Sequence, residues 1–191
     1  VFGRAPPTGV DDATPVAPHL IYGAHKAMAE VMISAKTRRG EIDGLSLRLP
    51  GVVARPPGDQ ILMSAFMSEI FHAFAAGRSY VCPVSREAQL WIMSVDRCVA
   101  NLAHALSNTH APTGSLNLPA LHISVGDLLA ALERASGKSA QCIEFAPMSD
   151  LQTSLGSMPP LRTAAAEAAG FEHDGTLDDL VARTLRRLVQ G

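Results

Sequence analysis

At 191 residues, with 47% hydrophobic and 18% charged residues, the chain has the make-up of a globular protein that buries a large core in one or two domains. Its formal charge of −2 gives no general attraction to nucleic acid or an anionic membrane, and the basic residues are scattered apart from short pairs such as Arg38-Arg39 and Arg186-Arg187. No apolar run approaches the length of a membrane span and the first residues lack the order of a signal peptide, so a cytoplasmic location is expected. Cys82, Cys98 and Cys142 are odd in number and widely spaced, with no C-x-x-C and no nearby His pair at zinc-ligand spacing. Reduced, buried thiols and no metal site are expected.

Residues 1–20 are rich in Pro, Gly and Asp and read as an extended loop. From Tyr22 the residues Ala24, Ala27, Met28, Val31 and Ala35 recur at helical spacing, which predicts a helix packing that face on a sheet, with Gly40 beyond its end. Leu45 to Leu49 alternates like a strand and Pro50-Gly51 stops it. A second helix is predicted from about Gln60 to Ala76, its Met and Phe stripe forming core, and it closes at Gly77.

Tyr80 to Pro83 and Leu90 to Met93 read as short strands. Asp96 is placed to cap a helix whose apolar side is Val99, Leu102, Ala103 and Leu106. Ser115 to Leu118 is another strand, ended by Pro119, and Ser124 with Asp127 has capping-box spacing for a helix through Ala135, with Gly137 beyond. Gln141 to Phe145 reads as a strand. Helices around Met148, from about Leu161 to Ala169, and from Leu177 to Leu188 finish the chain, which is α/β in class.

The predicted first helix carries chemistry. Tyr22 and Lys26 are four residues apart, hence one turn above the other on one face. A free phenol titrates near pH ~10 and is a poor base at neutrality, while an ammonium beside a phenol favours the phenolate. A surface Lys and a Tyr at a helix start is the alternative reading of the same spacing.

The context of the pair is informative. Val1-Phe2-Gly3, Asp11-Asp12, Pro15 and Pro18, then Tyr22-Gly23-Ala24-x-Lys26-x-x-x-Glu30 and Leu47-Arg48-Leu49-Pro50-Gly51-Val52-Val53-Ala54-Arg55-Pro56 together resemble the extended short-chain dehydrogenase/reductase family, also called the NAD-dependent epimerase/dehydratase family. Arg38-Arg39-Gly40, Arg48-Leu49-Pro50 and Trp91-Ile92-Met93-Ser94 resemble, within it, the group of NAD-dependent D-erythronate dehydrogenases.

The resemblance implies the C-terminal part of a Rossmann-type, doubly wound parallel sheet with a smaller α/β substrate-binding domain. Residues 1–56 and 94–121 would belong to the dinucleotide-binding domain, and 57–93 and 122–191 to the substrate domain. It implies Tyr22 as catalytic acid/base and Lys26 as the residue that holds the nicotinamide ribose, both touching the cofactor. The backbone of Pro50, Gly51 and Val52 would meet the nicotinamide carboxamide.

The implied cofactor is NAD, with NADP open, and the implied substrate is a small sugar acid or hydroxy acid. Arg55, Ser64, Arg86 and Trp91 lie in stretches that the resemblance puts around the substrate, where a sugar acid wants a cation and hydroxyl partners. For Arg55 a surface salt bridge, and for Trp91 core packing, are the alternatives.

No G-x-x-G-x-x-G or G-x-G-x-x-G phosphate turn occurs in the sequence, and the family's Ser or Thr beside the tyrosine is also missing. The chain therefore looks like the C-terminal part of a longer protein, with the upstream half and a second copy in a homodimer as expected partners. Two other functions compete with the dehydrogenase. One is a nucleotide-sugar epimerase or dehydratase, for which an Arg before an F-x-x-V-x-D run is expected, a pattern from which Gln89-Leu90-Trp91-Ile92-Met93-Ser94-Val95-Asp96 departs. The other is a non-catalytic cofactor sensor.

Overall fold

The first helix, α1 (Ile21–Arg38), begins where Leu20 is extended and ends as Arg39 and then Gly40 leave the helical path, Gly40 with a φ of +72°. That positive φ is what glycine supplies at a helix C-terminus. The coordinates come from a computed structural model, which describes residues 1–3, 8–56, 63–107 and 113–190.

β1 (Leu45–Arg48) follows, its start drawn so close beneath α1 that a Cβ on Gly44 would meet Ile33 Cγ2 at 2.7 Å. β2 (Gly51–Val53), α2 (Phe66–Ala76), β3 (Tyr80–Cys82), β4 (Gln89–Ser94) and α3 (Val95–Ser107) come next. Then come β5 (Gly114–Asn117), β6 (Leu121–Ser124) and α4 (Val125–Ser136). A 3-10 turn at Ala140–Cys142 leads to β7 (Ile143–Phe145), α5 (Ser149–Leu155), α6 (Ala164–Ala168) and α7 (Leu177–Gln190).

Three small sheets organise these elements. β1 and β5 are parallel, running in register from Leu45 opposite Gly114 to Arg48 opposite Asn117. β4 is central in the second sheet, parallel to β2 and antiparallel to β6. The third is the parallel pair of β3 and β7.

Because side chains alternate along a strand, β1 turns Leu45 and Leu47 to one face and Ser46 and Arg48 to the other. The leucines join Met93, Leu116, Leu118 and Cys98 of α3 with Ala166 of α6 and Phe171. Arg48 instead meets Glu30 of α1. α1 thus covers one face of the β1–β5 sheet, and α3 and α6 pack on the other.

The larger core lies under the other two sheets, where Ile70, Phe71 and Phe74 of α2 meet Leu90, Ile92, Leu128, Leu129, Leu132 and Leu180, all fully buried. Each such side chain contributes roughly 1.5–3 kcal/mol by leaving water. Asp174, also buried, accepts the Ser94 amide at 2.8 Å, the Ser94 hydroxyl at 2.6 Å and Arg183 Nη1 at 2.9 Å, which fastens the end of β4 to the loop before α7.

The structure corrects several expectations. Of the expected α1 face Ala24, Ala27 and Ala35 are half-buried, but Met28 and Val31 are exposed, and Glu30, Ile33, Ser34 and Thr37 make the covered side more polar than expected. On α3 the periodic set Val99, Leu102, Ala103 and Leu106 is exposed, while Cys98 and Asn101 are buried. Ser94 rather than Asp96 caps α3: its hydroxyl accepts the Arg97 amide at 3.1 Å, and Asp96 binds Arg187.

Residues 141–142 belong to the 3-10 turn, so the strand expected from Gln141 starts at Ile143. The Ser124–Asp127 box is present in full, with Gly137 left-handed at the end of α4. The start of the second helix expected at Gln60 lies outside the described residues. Among the described residues no helix is long and apolar enough to cross a membrane, and no group of three His, Cys, Asp or Glu is arranged to hold a metal ion.

Candidate active site

Tyr22 and Lys26 stand on successive turns at the start of α1, with Lys26 Nζ 5.3 Å from the centroid of the Tyr22 ring. Both are exposed, Tyr22 to 70%. The helix can begin there because Gly23 passes close under Pro18, where a Cβ would stand 2.9 Å from the proline Cβ. An exposed phenol and an exposed ammonium on one face make a donor set that suits the hydroxyls of a ribose and the proton of an alcohol.

One turn beyond Lys26, Glu30 faces the sheet. Arg48 donates from Nε to Glu30 Oε1 at 2.9 Å and from Nη2 to Oε2 at 2.8 Å, and the two side chains are only 12% and 14% exposed. Burial pushes the Glu30 carboxyl up, but the Arg48 hydrogen bond and charge, with help from Ser115, outweigh it and hold the carboxyl below its ordinary range. Two-point contacts of this kind are the strong ones among ion pairs.

Behind Arg48, the Phe2 ring centroid lies 5.0 Å from the guanidinium carbon, and the ring makes a T-shaped contact with Trp91 at 6.5 Å between centroids. Trp91 Nε1 donates to the Pro159 carbonyl at 2.6 Å, so its polar atom is used within the fold.

The strand end Pro50-Gly51-Val52 runs from β1 into β2, where Gly51 pairs with Ile92 and Val52 with Met93. Arg55 follows and is tied at three points. Its amide donates to Ser68 Oγ at 3.2 Å, its carbonyl bonds His72 Nε2 at 2.7 Å, and its Nη2 donates to Ser64 Oγ at 3.4 Å. Arg55 and Ser64, two of the expected substrate residues, are therefore together. Arg86 is exposed in the turn before β4, where its carbonyl accepts the Gly126 amide at 2.8 Å.

Sequence reasoning did not single out Glu30, Arg48, Phe2, Ser68 or His72 for roles of their own. Glu30 and Arg48 stand inside recognisable motifs, but nothing in the order of residues says that positions 18 apart pair.

The sequence profile of the family described as "NAD dependent epimerase/dehydratase family" matches residues 1–118. The chain belongs to that family. Among curated relatives, this epimerase/dehydratase-family chain is 32% identical over 186 residues to a D-erythronate dehydrogenase of Haemophilus influenzae, covering 95% of this chain and 59% of the relative. It is 31% identical to a D-erythronate dehydrogenase of Cupriavidus necator, covering 95% of this chain and 57% of that one. The chain thus spans less than two thirds of the length of these relatives.

Among solved structures, the nucleoside-diphosphate-sugar epimerase from Agrobacterium tumefaciens is similar with a TM-score of 0.89 and 27% identity, over 100% of this chain and 57% of that one. L-threonine dehydrogenase from Phytophthora infestans shares the fold, with a TM-score of 0.86 at 21% identity over 100% of this chain and 62% of that one. The α/β architecture is the Rossmann type expected from the sequence.

Proposed function

We propose that the chain supplies the acid/base pair of an NAD-dependent dehydrogenase acting on a secondary alcohol of a small sugar acid or hydroxy acid of the D-erythronate kind. NADP is the other nicotinamide the same chemistry accepts. The observation that carries this reading is the pairing of Lys26 with Tyr22 on the exposed face of α1. The names of the two curated relatives support the substrate class.

In this reading Tyr22 Oη takes the proton of the reacting hydroxyl, and Lys26 donates to the ribose while its charge favours the phenolate. A bound nicotinamide supplies the hydride acceptor. The backbone of Pro50, Gly51 and Val52 meets the carboxamide. Arg55, steadied by Ser68 and His72, pairs with the substrate carboxylate, with Ser64 beside it and Arg86 and Trp91 further round the pocket.

The donors fit the nicotinamide end of the cofactor only. Binding the pyrophosphate wants a glycine-rich turn at a helix N-terminus, and these 191 residues contain none. The proposed partner is therefore an upstream half of the same protein that brings this turn and the hydroxyl residue beside Tyr22. Residues 1–56 and 94–121 complete its dinucleotide domain, and 57–93 and 122–191 form the substrate domain. The exposed Ile21, Met28, Val31 and Met32 on α1 support a homodimer in addition.

The test uses the full-length protein with NAD, NADP and a panel of four-carbon sugar acids, read by the absorbance of the reduced cofactor. Tyr22→Phe should abolish turnover and leave cofactor affinity within about threefold, because the hydroxyl moves the proton but holds little of the cofactor. A variant that kept kcat within about tenfold, a loss under ~1.4 kcal/mol, would remove Tyr22 from the role of base. The similarity to the Agrobacterium epimerase favours a second reading, in which a nucleotide sugar is the substrate and turnover leaves no reduced cofactor behind. Nucleotide sugars in the same panel, followed by product chromatography, separate the two.

A further inference from the structure

We infer that Arg48 is a positioning residue: by holding Glu30 in a two-point ion pair it pins the Tyr22 helix to β1 and keeps Glu30 from capturing Lys26. The inference rests on the acid/base reading of Tyr22 and Lys26.

Apolar packing does little to seat α1, which has no fully buried residue. Its firmest attachment is the Glu30–Arg48 pair, whose two side chains are both largely shielded from water. Arg48 is in turn fixed by its place in the β1–β5 register and by the Phe2 ring over its guanidinium. Below it Arg48 Nη1 and Asn117 Nδ2, on register partners, are buried donors without an acceptor in the structure, so the layer under the helix is polar. Each Glu30 oxygen accepts one hydrogen bond from Arg48, so the pair fixes both the position and the orientation of the carboxylate.

Two consequences follow for Tyr22. Glu30 lies eight residues beyond it, about 12 Å along the helix, so a tilt of roughly 5° about Glu30 displaces the phenol by about 1 Å, a misplacement that can cost ~100-fold in rate. Lys26 and Glu30 are also i, i+4 neighbours, the spacing at which ammonium and carboxylate pair. Arg48 from β1 and Ser115 from β5 are the groups that compete for Glu30. Without Arg48, Glu30 is released to Lys26, and the ammonium is drawn away from the phenol.

The test is a cycle in the full-length protein: Arg48→Met, Glu30→Gln, the double variant and the milder Arg48→Lys, each followed by pH–rate profiles, KM values and thermal midpoints. Arg48→Met should lower kcat about 10–100-fold with KM for cofactor and alcohol within about threefold, and move the acid limb of the profile up by about one pH unit. Glu30→Gln should lower kcat without moving that limb. The double variant should return the limb to its parent position, since no carboxylate remains to take Lys26, and Arg48→Lys should fall between parent and Arg48→Met.

An unmoved limb in both Arg48→Met and Arg48→Lys overturns the inference, as does a double variant that behaves like Arg48→Met or a kcat that tracks only the thermal midpoint. Tyr22→Phe in the same assay separates the two levels. If that variant turns over, the acid/base reading falls and takes this inference with it; if it is dead while the Arg48 variants are normal, this inference alone falls.

Discussion

The Sδ of Met67 occupies the space that a Cβ on Gly51 would need, and the Trp91 carbonyl oxygen would stand 2.9 Å from the same atom. Met67 is buried and Trp91 belongs to β4, so neither yields cheaply. Gly51→Ala should destabilise the protein by about 1–3 kcal/mol, the usual cost of overpacking a filled interior. Urea denaturation checks it, and an unchanged midpoint would mean that β2 shifts freely against β4. If the strand end meets the nicotinamide, the variant also loses cofactor affinity.

Lys26→Met should weaken both cofactor binding and turnover in the full-length protein, since it removes the ribose donor and the charge beside the phenol. Calorimetry with NAD reads the first effect and steady-state kinetics the second. Unchanged NAD affinity would take the ribose from Lys26 and leave it only a part in tuning Tyr22.

Acid should loosen α1 before it loosens the cores. The folded state holds Glu30 ionised below its ordinary range, so the stability it contributes is complete above about pH 4.3 and is lost as pH falls through the folded value. Between these limits the Glu30→Gln protein should lose less stability per pH unit than the parent. Denaturant midpoints measured from pH 3 upward, on an order of magnitude of ten points, provide the comparison.

The three thiols should react unequally. Burial pushes the Cys82 and Cys98 thiols up, while Cys142 is half-exposed. Thiolate is the nucleophile, so brief alkylation of the native protein should mark Cys142 first. Peptide mass spectrometry shows the order, and early labelling of Cys82 would mean that β3 opens readily.

What the sequence reveals depends on how local the cause is. The Tyr22–Lys26 face, the left-handed Gly40 and the Ser124–Asp127 box are decided within one or two helical turns, and all three are where they are expected. Pro50-Gly51 does end β1, yet three residues resume at once as β2 in another sheet, because Ile92 and Met93 of β4 are there to pair with them. β6 is hidden for a similar reason, its pairing with β4 being long-range. On α3, periodicity tells which residues share a side but not which side meets the sheet: Cys98 and Asn101 go in and Val99, Leu102 and Leu106 stay out. Glu30 and Arg48 look like ordinary surface charges until the fold brings α1 over β1.

Trp91 is the sole tryptophan in the sequence. With its indole N–H on the Pro159 carbonyl and its ring in an edge contact with Phe2, it gives these 191 residues a single indole emitter at the strand paired with Gly51. Intrinsic fluorescence is therefore a local gauge: a shift in its maximum reports the seam where the first residues, β2 and β4 meet, one aromatic ring away from Arg48.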